Sequence, residues 1–105
     1  MEAFLLVLST APNRREARKL AQLLVRQRLV ACVNLIDKAE SIYWWQSKIQ
    51  SSREVLLLMK TRQSCYKELE KTLKKHHSYD VPEVVAIPLA AGSSDYLKWL
   101  AAETR

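Results

Sequence analysis

Two adjacent histidines, His76 and His77, are the side chains of this sequence best suited by type to bind a metal ion. Neutral imidazole is a common ligand of zinc and copper. Consecutive residues on a helix point about 100° apart, so both rings bind one ion only if the helix has already ended. The alternative is that the two rings flank an apolar stripe and interact with the C-terminus of a helix as partial cations. The spacing leaves both interpretations open.

Polar residues close to the histidines in sequence are candidates for a pocket. Tyr79, Asp80 and Glu83 follow directly, and Lys60 and Lys98 are cations that would complete such a site. The chain has no Gly-rich phosphate loop, no zinc-ligand quartet and no nucleophile elbow. These absences favour a protein that binds a ligand over an enzyme.

The two cysteines are not arranged as a redox or metal pair. Cys32 and Cys65 form no CxxC motif, and we expect no structural disulfide between them. Cys32 lies in an apolar strand, where we expect a small buried residue. Cys65 opens a helix, whose dipole lowers a thiol pKa, but the pattern favours a structural role.

A row of large apolar side chains is the strongest surface signal in the sequence. Residues 41–45 read Ser-Ile-Tyr-Trp-Trp, so Tyr43, Trp44 and Trp45 come in succession. A strand with one solvated face alternates apolar and polar residues, whereas this one does not. Exposed apolar patches usually mark interfaces. We therefore expect self-association, with a cover by the C-terminal helix or an aromatic ligand groove as alternatives.

The elements that position these residues follow from the periodicity. We predict a central strand at residues 3–8, broken at 10–13, and a helix to about residue 28 with Asn13 as N-cap and Glu16 reaching back. A second strand covers residues 30–36 and continues over 41–46 after a kink or bulge at 37–40. A tight hairpin at residues 45–48 leads into a third strand, which is apolar at 55–59.

The second half of the chain repeats this alternation. A second helix, capped by Thr61 or Ser64, runs to about residue 75 with Glu70 paired to Lys74. A short strand covers residues 84–88, and a final helix at 95–102 turns Tyr96, Trp99 and Leu100 inward. The order βαββαβ plus a terminal helix predicts a single α+β domain over residues 1–105, ferredoxin-like with an antiparallel sheet.

Composition and charge set further limits. The chain has 105 residues and a formal net charge of +6. Its basic residues are spread over two segments, and acids are interleaved among them, notably Glu16, Glu68 and Glu70. These bases form either a solvated helix surface or a functional basic surface. The third strand lacks the aromatic residues of RNA-binding sheets, so we expect no nucleic-acid partner. No stretch suggests a secretory signal or a membrane span, so we expect no membrane partner and a cytoplasmic protein.

Several segments, in order along nearly the whole sequence, resemble the CutA divalent-cation-tolerance family. They are Ser9-Thr10-Ala11-Pro12-Asn13, residues 28–36, residues 41–45, residues 54–61, residues 77–83 and residues 95–99. Together these segments are specific, although none would be alone.

The resemblance implies a homotrimer of ferredoxin-like subunits, PII-like in design, that takes part in divalent metal (copper) tolerance without catalysis. It implies metal binding at His76, His77 and the position of Ser9, with Cu(II) or another divalent cation as ligand. Some members carry cysteine where Ser9 stands, and its loss removes the softest ligand. The alternative function is PII-like signalling through an inter-subunit pocket for an anionic or aromatic ligand, with Cys32, Tyr43, Trp44, Trp45, Tyr79, Glu83 and Lys98 as inter-subunit or pocket residues.

Overall fold

Four antiparallel strands form one sheet in the order β2-β3-β1-β4 in the computed structural model, which describes residues 3–105. The ferredoxin-like α+β prediction is therefore confirmed. The strands are β1 Phe4–Ala11, β2 Cys32–Trp45, β3 Lys48–Arg62 and β4 Val85–Pro88; the helices are α1 Arg14–Arg26, α2 Tyr66–His76 and α3 Ser94–Ala102.

Strand β1 is longer than predicted at its C-terminal end. Thr10 and Ala11, which we expected to break the strand, pair with Leu56 and Val55 of β3. The long partner strand supplies hydrogen-bonding groups that local sequence does not reveal. Ser9 therefore lies inside the sheet and not in a turn.

Helix α1 begins at the predicted cap. The side chain of Asn13 accepts a hydrogen bond of 2.8 Å from the backbone N–H of Glu16. The reciprocal half of the capping box is wrong, because the Glu16 carboxylate bonds Ser78, 62 residues further along the chain. Ala17, Leu20 and Leu24 are buried and form the core-facing side of the helix.

The long β2–β3 ladder carries the predicted irregularity. The pairing register shifts between Ile36 and Ala39, where Lys38 adopts a left-handed φ of 64°. Beyond this bulge the ladder continues to the predicted hairpin turn, which closes with Gln46 and Ser47 at φ 51° and 65°. We call residues 39–54 the arm and the rest of the described chain the body.

The N-terminus of helix α2 differs from the prediction. A 3-10 turn over Gln63–Cys65 precedes it, and neither Thr61 nor Ser64 provides a side-chain cap. Glu70 accepts a hydrogen bond of 3.2 Å from the Tyr66 hydroxyl, and this contact stands in place of the expected pairing with Lys74. The helix ends at His76.

One face of the sheet is packed and the other is largely bare. Helices α1 and α2 cover the face that presents Val7, Leu57 and Met59, each with no exposed surface. The opposite face presents Ile36, Val85 and Ile87, which are all exposed. The apolar content of the sheet therefore exceeds what one chain covers.

Helix α3 covers only a small part of that surface. Leu100 is buried, but Tyr96 and Trp99 stay exposed and stack at a tilt on each other, so their predicted inward packing is wrong. In the arm, Ile42 is 68% and Trp44 71% exposed. The alternative that the terminal helix covers the aromatic strand is therefore also wrong.

The C-terminal residues are hydrogen-bonded to the body. Arg62 donates hydrogen bonds to the carbonyl and hydroxyl of Thr104, and the Cys65 thiol donates to the Arg105 carbonyl.

None of the helices in residues 3–105 has the length and apolar character needed to cross a bilayer.

Candidate metal and ligand sites

His77 lies just beyond the C-terminus of α2, and its ring is fully buried. Its Nε2 lies 2.7 Å from the Thr10 carbonyl oxygen, so this nitrogen carries the proton and donates it. Its Nδ1 therefore accepts the hydrogen bond of 3.0 Å from the Tyr79 backbone N–H. Both ring nitrogens are thus occupied, and the ring ties the loop after α2 to β1.

The Glu16 carboxylate adds further contacts between the loop after α2 and the rest of the fold. Glu16 Oε2 lies 3.5 Å from His77 Nδ1 and accepts hydrogen bonds from both the N–H and the hydroxyl of Ser78. The first turn of α1, the end of β1 and the loop after α2 are therefore held together by polar contacts.

His76 has a different environment, although it is the next residue in the chain. Its Nδ1 donates to the Thr72 carbonyl oxygen over 3.0 Å, one helical turn earlier. The residue lines a cavity of about 250 Å³ beside α1, which is also lined by Glu16, Lys19, Leu20, Gln22, Leu23 and Arg26. Within residues 3–105, His76 Nε2 makes no hydrogen bond, whereas both ring nitrogens of His77 do.

Ser9 is fully buried in β1, on the face that α1 and α2 cover. Its hydroxyl oxygen has no hydrogen-bond partner within residues 3–105, which is unusual for a buried polar atom. In the described part of the chain, no three His, Cys, Asp or Glu side chains converge as a ligand group. The predicted metal site at His76, His77 and Ser9 stays a prediction, and a metal on His77 would have to displace one of its two hydrogen bonds.

A larger cavity of about 610 Å³ lies where the arm meets the body. Three of the predicted pocket aromatics line it, namely Tyr43, Trp45 and Tyr79, and so does Glu83. The other lining residues are Thr10, Ser41, Ile42, Glu54, Asp80 and Val81. Three carboxylates and three aromatic rings make the cavity suited to an aromatic or cationic ligand and not to an anion.

The remaining predicted pocket residues lie elsewhere. Trp44 and Lys98 are exposed and do not line this cavity. Cys32 is half-buried and paired in register with Lys60, and Asn34 contacts both of these side chains. This cluster lies on the bare face of the sheet, at the far end of β3 from the arm.

A tyrosine–carboxylate pair anchors the cavity to the fold. The Tyr79 hydroxyl donates a hydrogen bond of 2.7 Å to Glu54, which is a buried residue of β3 beside the bulge. Burial, followed by this hydrogen bond and the negative charge of Glu54, raises the pKa of Tyr79 above its ordinary value of 10.0. Tyr79 is therefore a neutral donor at physiological pH.

Sequence reasoning missed three residues of these sites. Glu54 directly precedes the apolar part of the third strand and was given no role in a site. Thr10 contributes its backbone carbonyl, for which side-chain type gives no signal. Glu16 was assigned to a local cap. In each case the partner lies far away in sequence.

Comparison with known proteins places the chain in a family. The family model described as CutA1 divalent ion tolerance protein matches residues 5–103. The chain is 46% identical over 101 residues to the chloroplastic protein CutA of Arabidopsis thaliana, which covers 96% of this chain but only 56% of that protein. The chain thus spans about half the length of this plant relative.

Two solved structures match over nearly their full length. The divalent cation tolerance protein from Thermus thermophilus shares 43% identity at a TM-score of 0.94, covering 100% of both chains. The periplasmic divalent cation tolerance protein CutA from Archaeoglobus fulgidus shares 34% identity at 0.91, covering 98% of each. From its matched residues and its fold, this chain belongs to the CutA1 divalent ion tolerance family.

Proposed function

We propose that this protein acts in divalent-metal tolerance as a non-enzymatic homotrimer that binds Cu(II) or a related divalent cation. Membership of the CutA1 family supports the link to divalent metals. The observation that carries the metal part is the open Nε2 of His76 beside the buried His77. The assembly part is carried by the apolar surface of the arm and of the bare sheet face.

The topology supports a ring of subunits. β2 and β4 are the two edges of the sheet, so each chain offers two different unpaired edges, and its arm reaches beyond the body. A contact between two different surfaces repeats from copy to copy until the rotation closes a ring. The trimer buries Ile42 and Trp44 against a neighbour and removes exposed strand edges. Sedimentation at micromolar concentration tests this, and a stable monomer would refute it.

The metal part assigns unequal roles to the three predicted ligands. His76 offers Nε2 without any rearrangement, whereas His77 must release Thr10 or the Tyr79 backbone N–H. Ser9 offers a buried hydroxyl that lacks a partner. Imidazole suits Cu(II) and Zn(II), whereas a hydroxyl is a poor ligand for Cu(I). We therefore expect moderate affinity for divalent ions at this site.

Calorimetric titration with Cu(II) or Zn(II) tests the assignment. His76→Ala is expected to weaken binding at least about tenfold, because it removes the one open imidazole nitrogen. Ser9→Cys is expected to strengthen copper binding, because it adds a thiolate at a buried position. His76→Ala with unchanged affinity would contradict the site. Arg15→Ala, an exposed change elsewhere on the helices, is the matched control.

A second candidate function is PII-like signalling through a small-molecule pocket. The observation in its favour is the cavity of about 610 Å³ with the buried Glu54 and Tyr43, Trp45 and Tyr79 in its walls. Quenching of tryptophan fluorescence by an aromatic amine is expected in the wild-type protein and is expected to be lost in Glu54→Gln. Quenching that persists in this variant would contradict the pocket.

The cytoplasm is the proposed location. Both cysteines are free thiols, as expected in a reducing compartment. The printed names of two relatives are chloroplastic and periplasmic, so fractionation of the native host is the appropriate measurement. Recovery of the protein outside the cytoplasm would refute the assignment.

A further inference from the structure

The formal net charge of this protein is concentrated on one layer of the fold. Helices α1 and α2 carry nine basic and three acidic residues, which account for the whole net charge of +6. The remaining eight basic and eight acidic residues of the chain cancel. Both helices pack on the same face of the sheet, so the fold gathers this charge on a single surface, which we call the basic helix layer.

The cations of this layer are exposed and unpaired, with one exception. Arg14 pairs with Asp37 at 2.9 Å. Eight others are exposed and make no hydrogen bond or ion pair within residues 3–105, and they are Arg15, Arg18, Lys19, Arg26, Lys67, Lys71, Lys74 and Lys75. Cations that merely solubilise a surface are usually interspersed with acids of opposite sign, whereas here the acids are few and two of the three are engaged. Glu16 is held by Ser78 and Glu70 by Tyr66.

We propose that the basic helix layer binds the phosphate backbone of double-stranded nucleic acid without reading its sequence. Exposed cations lie on each of the two helices, and the helices contact each other. The axes of packed helices lie about 8–10 Å apart, so both sets of cations belong to one surface. Lysine and arginine contacts to phosphates supply most of sequence-independent affinity. Lys19 and Arg26 also line the cavity of about 250 Å³ beside α1, together with Glu16 and His76.

The chemistry of the layer favours a duplex over other polyanions. Single-stranded nucleic acid is held by aromatic side chains that stack on bases, and the only exposed large apolar residue of α1 and α2 is Val25. A membrane-surface helix inserts an apolar face between lipids, whereas the apolar faces of these helices are buried against the sheet. The features that speak against nucleic acid belong to β3, which is a different surface.

The experiment measures fluorescence anisotropy of a labelled duplex of about 24 base pairs between about 50 and 200 mM salt. The layer variant is Arg18→Gln with Lys67→Gln and Lys71→Gln. The control is Arg53→Gln with Lys48→Gln and Lys98→Gln, which removes the same charge from exposed positions outside the layer. Sedimentation checks that both variants keep the assembly state of the wild-type protein.

We expect salt-dependent duplex binding that weakens about tenfold or more in the layer variant, with a salt slope shallower by about three units, one for each removed contact. The control variant should stay within about twofold of the wild type. Equal weakening in both variants would overturn the proposal, because net charge alone would then explain binding. So would absence of duplex binding, tighter binding to an unstructured single strand, or binding to phosphatidylserine vesicles in place of the duplex.

Discussion

The body and the arm share the same two strands but differ in what covers them. Within the body, the β2–β3 ladder lies under α1 and α2, and Leu57 and Met59 are fully buried. Beyond the bulge at Ile36 and Ala39 the ladder continues with regular pairing but without a covering layer. Backbone hydrogen bonding is therefore equally complete in both regions, whereas burial of side chains is not. Strand pairing therefore determines the conformation of the arm, whereas no element within residues 3–105 covers its apolar side chains.

The largest loss of stability is expected from a substitution that creates a cavity in the core of the body. Leu57→Ala removes a fully buried side chain between the sheet and the helices and should lower the free energy of unfolding by about 3 kcal/mol. Urea denaturation at fixed protein concentration measures this. A loss below about 1 kcal/mol would mean that the body is less rigid than its burial indicates.

The second largest effect is expected on the association of subunits, whereas the fold of each chain should be unchanged. Ile42→Ala with Trp44→Ala removes two arm side chains that are 68% and 71% exposed. Such apolar anchors contribute about 2 kcal/mol or more when an interface buries them. Sedimentation should show dissociation at concentrations where the wild type is assembled, and circular dichroism should stay unchanged.

Val25→Ala is the matched control, since Val25 is an exposed apolar residue on α1. It should leave the assembly intact. If the arm variant had the same assembly state as this control, the proposed role of the arm in the subunit interface would be contradicted.

The smallest effect concerns the link between arm and body. Tyr79→Phe removes the hydrogen bond to Glu54 and should cost about 1–2 kcal/mol near neutral pH. Because burial raises the pKa of Tyr79 above 10.0 in the folded state, its contribution is fully present below about pH 10 and is lost as the pH rises through the folded-state pKa.

The unfolding free energy of the wild type should therefore fall above about pH 10, and less steeply in Tyr79→Phe. Part of the fall remains in the variant, because burial also raises the pKa of Tyr66 and Tyr96. Urea denaturation from neutral pH to about pH 11 provides the measurement. Identical slopes in both proteins would contradict the role given to Tyr79.

Local signals of the sequence predicted local structure well. The Asn13 cap, the bulge near Lys38 and the exposed aromatic strand depend on neighbouring residues and on strand alternation, and the structure has all three. The partner of Glu16 was predicted wrongly, because Ser78 competes with the cap from a distant part of the chain.

The two histidines show how far the candidate metal site could be predicted from the sequence. His76 and His77 are identical in type and adjacent in sequence, yet one has an open nitrogen and the other has none. The difference arises because α2 ends between them and β1 supplies the Thr10 carbonyl. Neither fact can be derived from the spacing of the histidines.

The bulge has a consequence for the geometry of assembly. In the proposed trimer the two different free edges of the sheet, β2 and β4, belong to head-to-tail contacts, which either close into a ring or continue as a filament. In that assembly the angle at which the arm leaves the body would set the rotation from one copy to the next, and the bulge with Lys38 at φ 64° lies at this point of the ladder. A deletion that straightens the ladder at Lys38 is therefore predicted to change the rotation and to replace the proposed closed ring with open filaments.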